Sequence, residues 1–350
     1  MTCQHITRWL PACNTLARPD GVSYETLLPW RCETGIRDQI KNNQSQITEV
    51  VLLGFQSSKG VSIFLFTLIL VVYIFTLGGN ILIITLVLYG ETLHTPMYVF
   101  LTQLSVTDII LSTDVIPNLL YVILQDHKTM SFINCIAQQN IFSMIESSEC
   151  LLVTAMSYDR YLAICKPLHY SSIMSKLFCA KLIIVSWLLS LFIVIIDVLT
   201  ITCMDFCGPN IIDHIFCDVL PLLKLSCSDT FIVQLELILL STVVVFLPFV
   251  LIIVSYTKVI FTILKIPSTV GKQKAFSTCS SHLTVVSIFY VTLICTYGFP
   301  STGEFINLNK PLALLYTVGT PLGNPLIYSL RNKDIKITFK RLKKSFVNLY

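Results

Sequence analysis

The chain has 350 residues, 54% of them hydrophobic and only 13% charged, with mean hydropathy +0.75. Soluble domains carry about 25% charged residues, so an ordinary soluble domain is excluded. The net charge of +4 is spread among joints between apolar windows and marks no nucleic-acid surface, and the 13 cysteines are too dispersed for a disulfide-framework domain.

The first 60 residues lack a basic stretch followed by an apolar run, so no signal peptide is read and the first span serves as the insertion signal. Asn43-Gln44-Ser45 is the only N-glycosylation sequon. Seven apolar windows follow, at about 61–88, 96–123, 137–161, 180–202, 233–257, 278–299 and 311–330. Each is long enough to cross about 30 Å of hydrocarbon. Lipid admits helices or closed barrels, and these windows are too long and unbroken for barrel strands. The fold class is therefore an all-α membrane protein, a seven-transmembrane helix bundle over 61–330. Residues 1–60 form a tail before it, and 331–350 a helix and tail after it.

Lysine and arginine orient the bundle. Arg160, Lys166, Lys176 and Lys181 follow the third window, and Lys258, Lys265, Lys272 and Lys274 follow the fifth. The tail from Arg331 to Lys344 is basic, whereas the opposite joints hold only Lys128, Lys224 and Lys310. The positive-inside rule places the N-terminus outside and the C-terminus in the cytoplasm. Residues 1–60 are then extracellular, with Asn43 available for a glycan. In the tail, Ile335, Phe339, Leu342 and Phe346 recur at three- and four-residue spacing among basic residues. That pattern reads as an amphipathic helix on anionic membrane lipid.

Apart from Cys3, Cys13 and Cys32 in the N-terminal stretch, five cysteines, Cys135, Cys203, Cys207, Cys217 and Cys227, fall at or beyond the outer boundary, where disulfides are permitted. Sequence alone does not assign pairs, and free thiols remain open. Cys207, His214 and Cys217 match no zinc spacing. Inside the windows, Asn80, Asp108, Glu146, Glu149 and Asn324 are expensive against lipid and are expected to face the bundle interior or a water-filled cavity. Glu146 and Glu149 share roughly one helix face, about 4.5 Å apart along the axis. Glu146 reads as a carboxylate that attracts an amine or binds a hydroxyl. It also reads as a protonated acid bonded to Ser143 or Ser147, or as part of a polar network unrelated to ligand.

The run Met156-Ser157-Tyr158-Asp159-Arg160-Tyr161-Leu162-Ala163-Ile164-Cys165 resembles the end of the third transmembrane helix in vertebrate odorant receptors, of the rhodopsin-like G-protein-coupled family. Similar matches are Pro96-Met97-Tyr98, Lys166-Pro167-Leu168-His169-Tyr170, Lys272 to Leu283, and Asn324-Pro325-Leu326-Ile327-Tyr328. The resemblance, to the tetrapod-type branch, runs from about 43 to 346. Residues 1–40, with Cys3, Cys13 and Cys32, stand outside it and read as a disordered extension or a gene-model artefact.

The resemblance implies disulfides Cys135–Cys217 and Cys207–Cys227, with Cys203 left over. It implies a switch built from Asn80, Asp108, Glu149, Asn324, Pro325, Tyr328 and the triplet Asp159, Arg160 and Tyr161, with a sodium ion or proton at Asp108 and Glu149. Gly323 stands where the family commonly has a larger apolar residue. Together with helix periodicity, the resemblance lines an upper cavity with Gln139, Phe142, Ser143, Glu146, Ser147, Tyr290, Ile294, Tyr297 and Tyr316.

The implied activity is non-enzymatic and needs no cofactor. A small volatile odorant binds in the bundle, and a heterotrimeric stimulatory G protein of the olfactory type is activated to raise cAMP. The implied location is the plasma membrane of olfactory sensory neuron cilia, reached with a trafficking chaperone. A non-olfactory rhodopsin-like receptor for another small ligand is the main alternative. A transporter is disfavoured because no internal repeat pairs the halves. No hydrolase motif or metal constellation points to an enzyme.

Overall fold

The computed structural model describes residues 47–297 and 306–347. Helices occupy the apolar windows as far as those residues reach: α1 (Lys59–Tyr89), α2 (Pro96–Gln125), α3 (Phe132–Cys165), the short α4 (Pro167–Ile173) and α5 (Lys176–Ile201). After the short α6 (Val219–Leu223) come α7 (Phe231–Lys265) and α8 (Thr269–Tyr297). Then α9 (Ile306–Leu314) runs on into α10 (Thr320–Arg331), and α11 (Lys333–Val347) ends the described chain.

Local chemistry sets several boundaries. Pro96 sits in the first turn of α2, where its missing N–H has no helical partner to lose. The Ser131 hydroxyl accepts from the Asn134 N–H to cap α3, and Ser175 does the same for Phe178 at the start of α5. Two helices widen into π-helical turns, at Thr242–Phe246 within α7 and at Leu315–Gly319 between α9 and α10. Pro248 and Pro321 follow these turns and cannot donate to the carbonyls of Val244 and Thr317 four residues back, which accounts for the local slack.

Five helical stretches among the described residues are long and apolar enough to cross a membrane: Lys59–Tyr89, Pro96–Gln125, Lys176–Ile201, Phe231–Lys265 and Cys279–Thr296. Their outward faces carry exposed Phe64, Phe75, Phe192, Leu188, Leu251 and Phe261. Such a belt would aggregate in water and is at home in lipid, so the chain is a multi-pass membrane-spanning bundle. The more polar α3 packs against α2, α5 and α7, which is the environment its acids need.

One end of the bundle carries a small sheet that hydrophobic periodicity did not reveal. Strand β1 (Glu49–Leu52) lies between β2 (Lys128–Ser131), antiparallel, and β3 (Ile211–Ile212), parallel. Val50 and Leu52 point into a satellite core with Val122, Phe206, Ile212 and Leu225. Gly54 follows with φ +59°, and a Cβ there would strike Val122 Cγ1, so both conformation and space require glycine.

Two disulfides pin this end: Cys135–Cys217, with Cα atoms 5.3 Å apart, and Cys207–Cys227, at 5.8 Å. Cys203 is disulfide-bonded as well, which corrects the expectation that it is left over. The expectation failed because the two-bridge pattern implied by resemblance left that cysteine no place.

Candidate functional site

A cavity of about 660 Å³ opens beneath the disulfide-pinned loop, between α3, α5, α7 and α8. Seven residues anticipated for it line one wall system: Gln139, Phe142, Ser143, Glu146 and Ser147 from α3, and Tyr290 and Ile294 from α8. Tyr316 sits outside the lining, edge-on to the Phe142 ring at 5.8 Å and beside Phe289 at 5.9 Å, so it backs the wall. The Tyr297 side chain and Asn43 lie outside the described residues.

Sequence reasoning missed the opposite walls. Asp197 and Ile193 come from α5, Asp218, Val219 and Leu220 from the loop, and Leu237 to Phe249 from the wide turn of α7. The Ser143 hydroxyl donates to Asp197 Oδ2 at 3.0 Å, so Ser143 is committed to Asp197 and not to Glu146. A signal for Asp197 existed: it is an acid inside the fourth apolar window. Asp218 had none, because the course of the loop decides which of its polar residues turns inward.

The loop above is ordered by its own contacts. The backbone N–H of Cys217 donates to Gln138 Oε1 at 3.0 Å, joining loop to α3 beside the disulfide. His214 is buried and bonds the Phe216 carbonyl through Nδ1 at 3.2 Å, while burial lowers its pKa to about 4. Lys310 donates to the Gly54 carbonyl at 2.7 Å and pairs with Asp213, tying α9 to the same loop.

Deeper in the bundle, α10 is clasped from two sides. Asn324 Nδ2 donates to both oxygens of Asp108, at 2.9 and 3.1 Å. Asn80 Nδ2 donates to the Pro321 carbonyl at 3.1 Å. Pro325 lies four residues on and has no N–H to give that carbonyl, so Asn80 supplies the bond that the proline removed. Glu149 is buried on α3 within electrostatic reach of Asp108. A Cβ at Gly323 would meet only Ile327 Cδ1, at 4.0 Å, so this helix carries spare room where the sequence departs from the resembled pattern.

At the far end of α3, Asp159 is fully buried and ion-paired with Arg160, whose Nε donates to Oδ2 at 2.9 Å. Its other oxygen accepts from the Tyr170 hydroxyl of α4 at 2.7 Å. Burial first, then the Asp159 charge, push the Tyr170 phenol above its ordinary pKa, so it remains a donor. Tyr170 was missed as a partner because the register of a short loop helix against α3 is invisible in sequence. Tyr161 stacks on Tyr158 at 6.2 Å, with the Lys258 ammonium 5.6 Å from its ring centre. Tyr328 and the hydrogen-bonded pair Tyr256 and His282 are buried at this end as well. Among the described residues, no group of three or more His, Cys, Asp or Glu side chains could hold a metal ion.

Comparison with known proteins agrees with this architecture. The family model described as "Olfactory receptor" matches residues 69–345. Olfactory receptor 5G3 of Homo sapiens is 45% identical over 307 residues, covering 87% of this chain and 98% of the relative. Olfactory receptor 10A3 of Homo sapiens is 42% identical over 89% of this chain and 99% of its own length. Olfactory receptor 5G29 of Mus musculus is 44% identical over 86% of this chain and 96% of its own length.

Proposed function

This chain belongs to the olfactory receptor family, and on that premise we propose that it binds small volatile odorants within its helix bundle. Binding then activates a stimulatory, olfactory-type G protein that raises cAMP. The observation carrying this reading is one helix with two differently built ends. Glu146 faces the cavity, while Arg160, about 21 Å further along α3, is held by a buried carboxylate.

A ligand that prefers the state with Arg160 released shifts the population toward it, and the shift is bounded by the difference in affinity between states. Asp108, Asn324, Asn80 and Glu149 form the polar joint between the two ends, with a sodium ion or proton at the two acids. Seven spans, an extracellular tail over 1–60 with a glycan at Asn43, and a cytoplasmic basic helix on anionic lipid complete the topology. The proposed site of action is the plasma membrane of sensory neuron cilia, reached with a trafficking chaperone.

The test is cAMP in cells co-expressing the receptor and its G protein, against amines, alcohols, aldehydes, acids and non-volatile ligands. The expected result is a saturable response to a volatile compound that Arg160→Ala abolishes at equal surface expression. Silence across the panel at verified surface expression, or a full response from Arg160→Ala, would sink the reading.

A further inference from the structure

We infer that the cavity is a site for protonated amines, in which Glu146 and Asp197 flank the ammonium group and Gln139 accepts one of its hydrogen bonds. The inference rests on the proposal that this cavity is the ligand site, and it names the chemical class of the ligand.

Two carboxyl side chains from different elements, Glu146 of α3 and Asp197 of α5, line one cavity, and among the described residues its lining includes no Lys, Arg or His. Asp197 is buried and Glu146 is half-buried, while the neighbouring Asp218 accepts from the Val219 N–H at 2.7 Å. Carboxylates gathered around an apolar space repel one another and lose hydration, a combination relieved by a cation. None of the described lining residues is a cation that could take that role, and a ligand ammonium group fits it.

A separate observation points the same way. Gln139 lies two helical turns from Glu146 on the same side of α3, is only 3% exposed, and also lines the cavity. Among the described residues its Oε1 accepts no hydrogen bond. An unmet buried acceptor invites a donor, and an ammonium group brings three.

Of the five hydroxyl side chains in the lining, three are committed, and Ser147 and Tyr290 are the other two. Ser143 donates to Asp197, and Ser241 and Thr242 both donate to the Ile238 carbonyl, at 3.1 and 2.7 Å. A ligand carboxylate would meet charge repulsion from Glu146 and Asp197, with the Ser147 and Tyr290 hydroxyls as the remaining neutral donors. The remaining surface is apolar and aromatic, with Phe142, Phe246, Phe249 and Tyr290 available to the ligand skeleton and to cation–π contact.

The test uses the full chain in lipid nanodiscs for binding and the same chain in cells for cAMP. Probes are short, medium and long primary alkylamines and benzylamine, each with the alcohol, the N-acetyl derivative and the carboxylic acid of the same skeleton. Saturable binding of amines at least about tenfold tighter than their alcohols and N-acetyl derivatives, with acids weakest, is expected for a charge-assisted contact. Asp197→Asn, which can keep the Ser143 bond, and Glu146→Gln should each weaken amines about tenfold or more and alcohols far less.

Amine binding without cAMP would leave the inference standing and sink the coupling reading. Signalling by alcohols or acids, with amines no better, would overturn the inference and leave the receptor reading intact. No saturable amine binding, or equal losses for amines and alcohols in both variants, would likewise overturn it.

Discussion

The two ends of α3 are built by opposite rules. At the cavity end, Glu146 and Asp197 face a shared space, and among the described residues the Gln139 carbonyl oxygen meets no donor. At the Arg160 end, the buried Asp159 is saturated: it takes Arg160 on one oxygen and Tyr170 on the other. Buried polar groups left unmet are costly, so a protein keeps them where something else completes them. A closed set stabilises one arrangement, and an open set waits for a ligand. A receptor needs both on one rigid element.

The largest effect comes from loosening the cavity end while sparing the other. Cys135–Cys217 closes a sequence separation of 82 residues and Cys207–Cys227 one of 20. Loop-closure entropy then assigns the longer bridge about 4–5 kcal/mol and the shorter about 3 kcal/mol. Paired replacement by serine of Cys135 and Cys217 should therefore lower thermal stability in nanodiscs more than replacement of Cys207 and Cys227. A larger loss from the short bridge would show that native packing, and not chain entropy, fixes the loop.

How much of this was legible in sequence differs between the ends for the same physical reason. The helices were readable because apolar length is dictated by the bilayer, and the acids inside them because lipid makes polar groups conspicuous. Asp108, Glu149 and Asn324 were found that way, although Asp197 was passed over despite the same signal. The strand Glu49–Leu52, the inward turn of Asp218 and the bond from Tyr170 depend on how loops cross over the bundle. Four-residue strands and a seven-residue helix are too short for periodicity to reveal their register. The disulfides Cys135–Cys217 and Cys207–Cys227 came from resemblance and not from spacing, and Cys203 shows where that route stops.

Acid should separate the ends further. Unfolded His214 takes a proton near pH 6.5, whereas the buried folded side chain does so only near pH 4. Between these values the unfolded chain binds more protons, so acid favours unfolding. The contribution, up to about 3 kcal/mol, is complete above pH 6.5 and is lost progressively as pH falls toward 4. Thermal denaturation followed from pH 7 to 4 should show this slope, and His214→Gln should flatten it. A slope unchanged in that variant would assign the acid sensitivity to other groups.

The smallest expected effect tests whether the Arg160 end is held shut by its closed hydrogen-bond set. The Tyr170 hydroxyl bond to Asp159 is charge-assisted, and such bonds contribute about 1.5–3 kcal/mol. Tyr170→Phe keeps the ring and removes only that bond, freeing Asp159 Oδ1 and weakening the arrangement that restrains Arg160. If the bond belongs mainly to the restrained state, ligand-free cAMP should rise by on the order of tenfold at matched surface expression, the shift that such an energy produces in a two-state balance. Asp159→Asn, which weakens the ion pair as well, should raise it further. Basal signalling that stays flat in both variants would mean Arg160 is restrained from elsewhere, and the contrast between a closed end and an open one would then fail at its closed end.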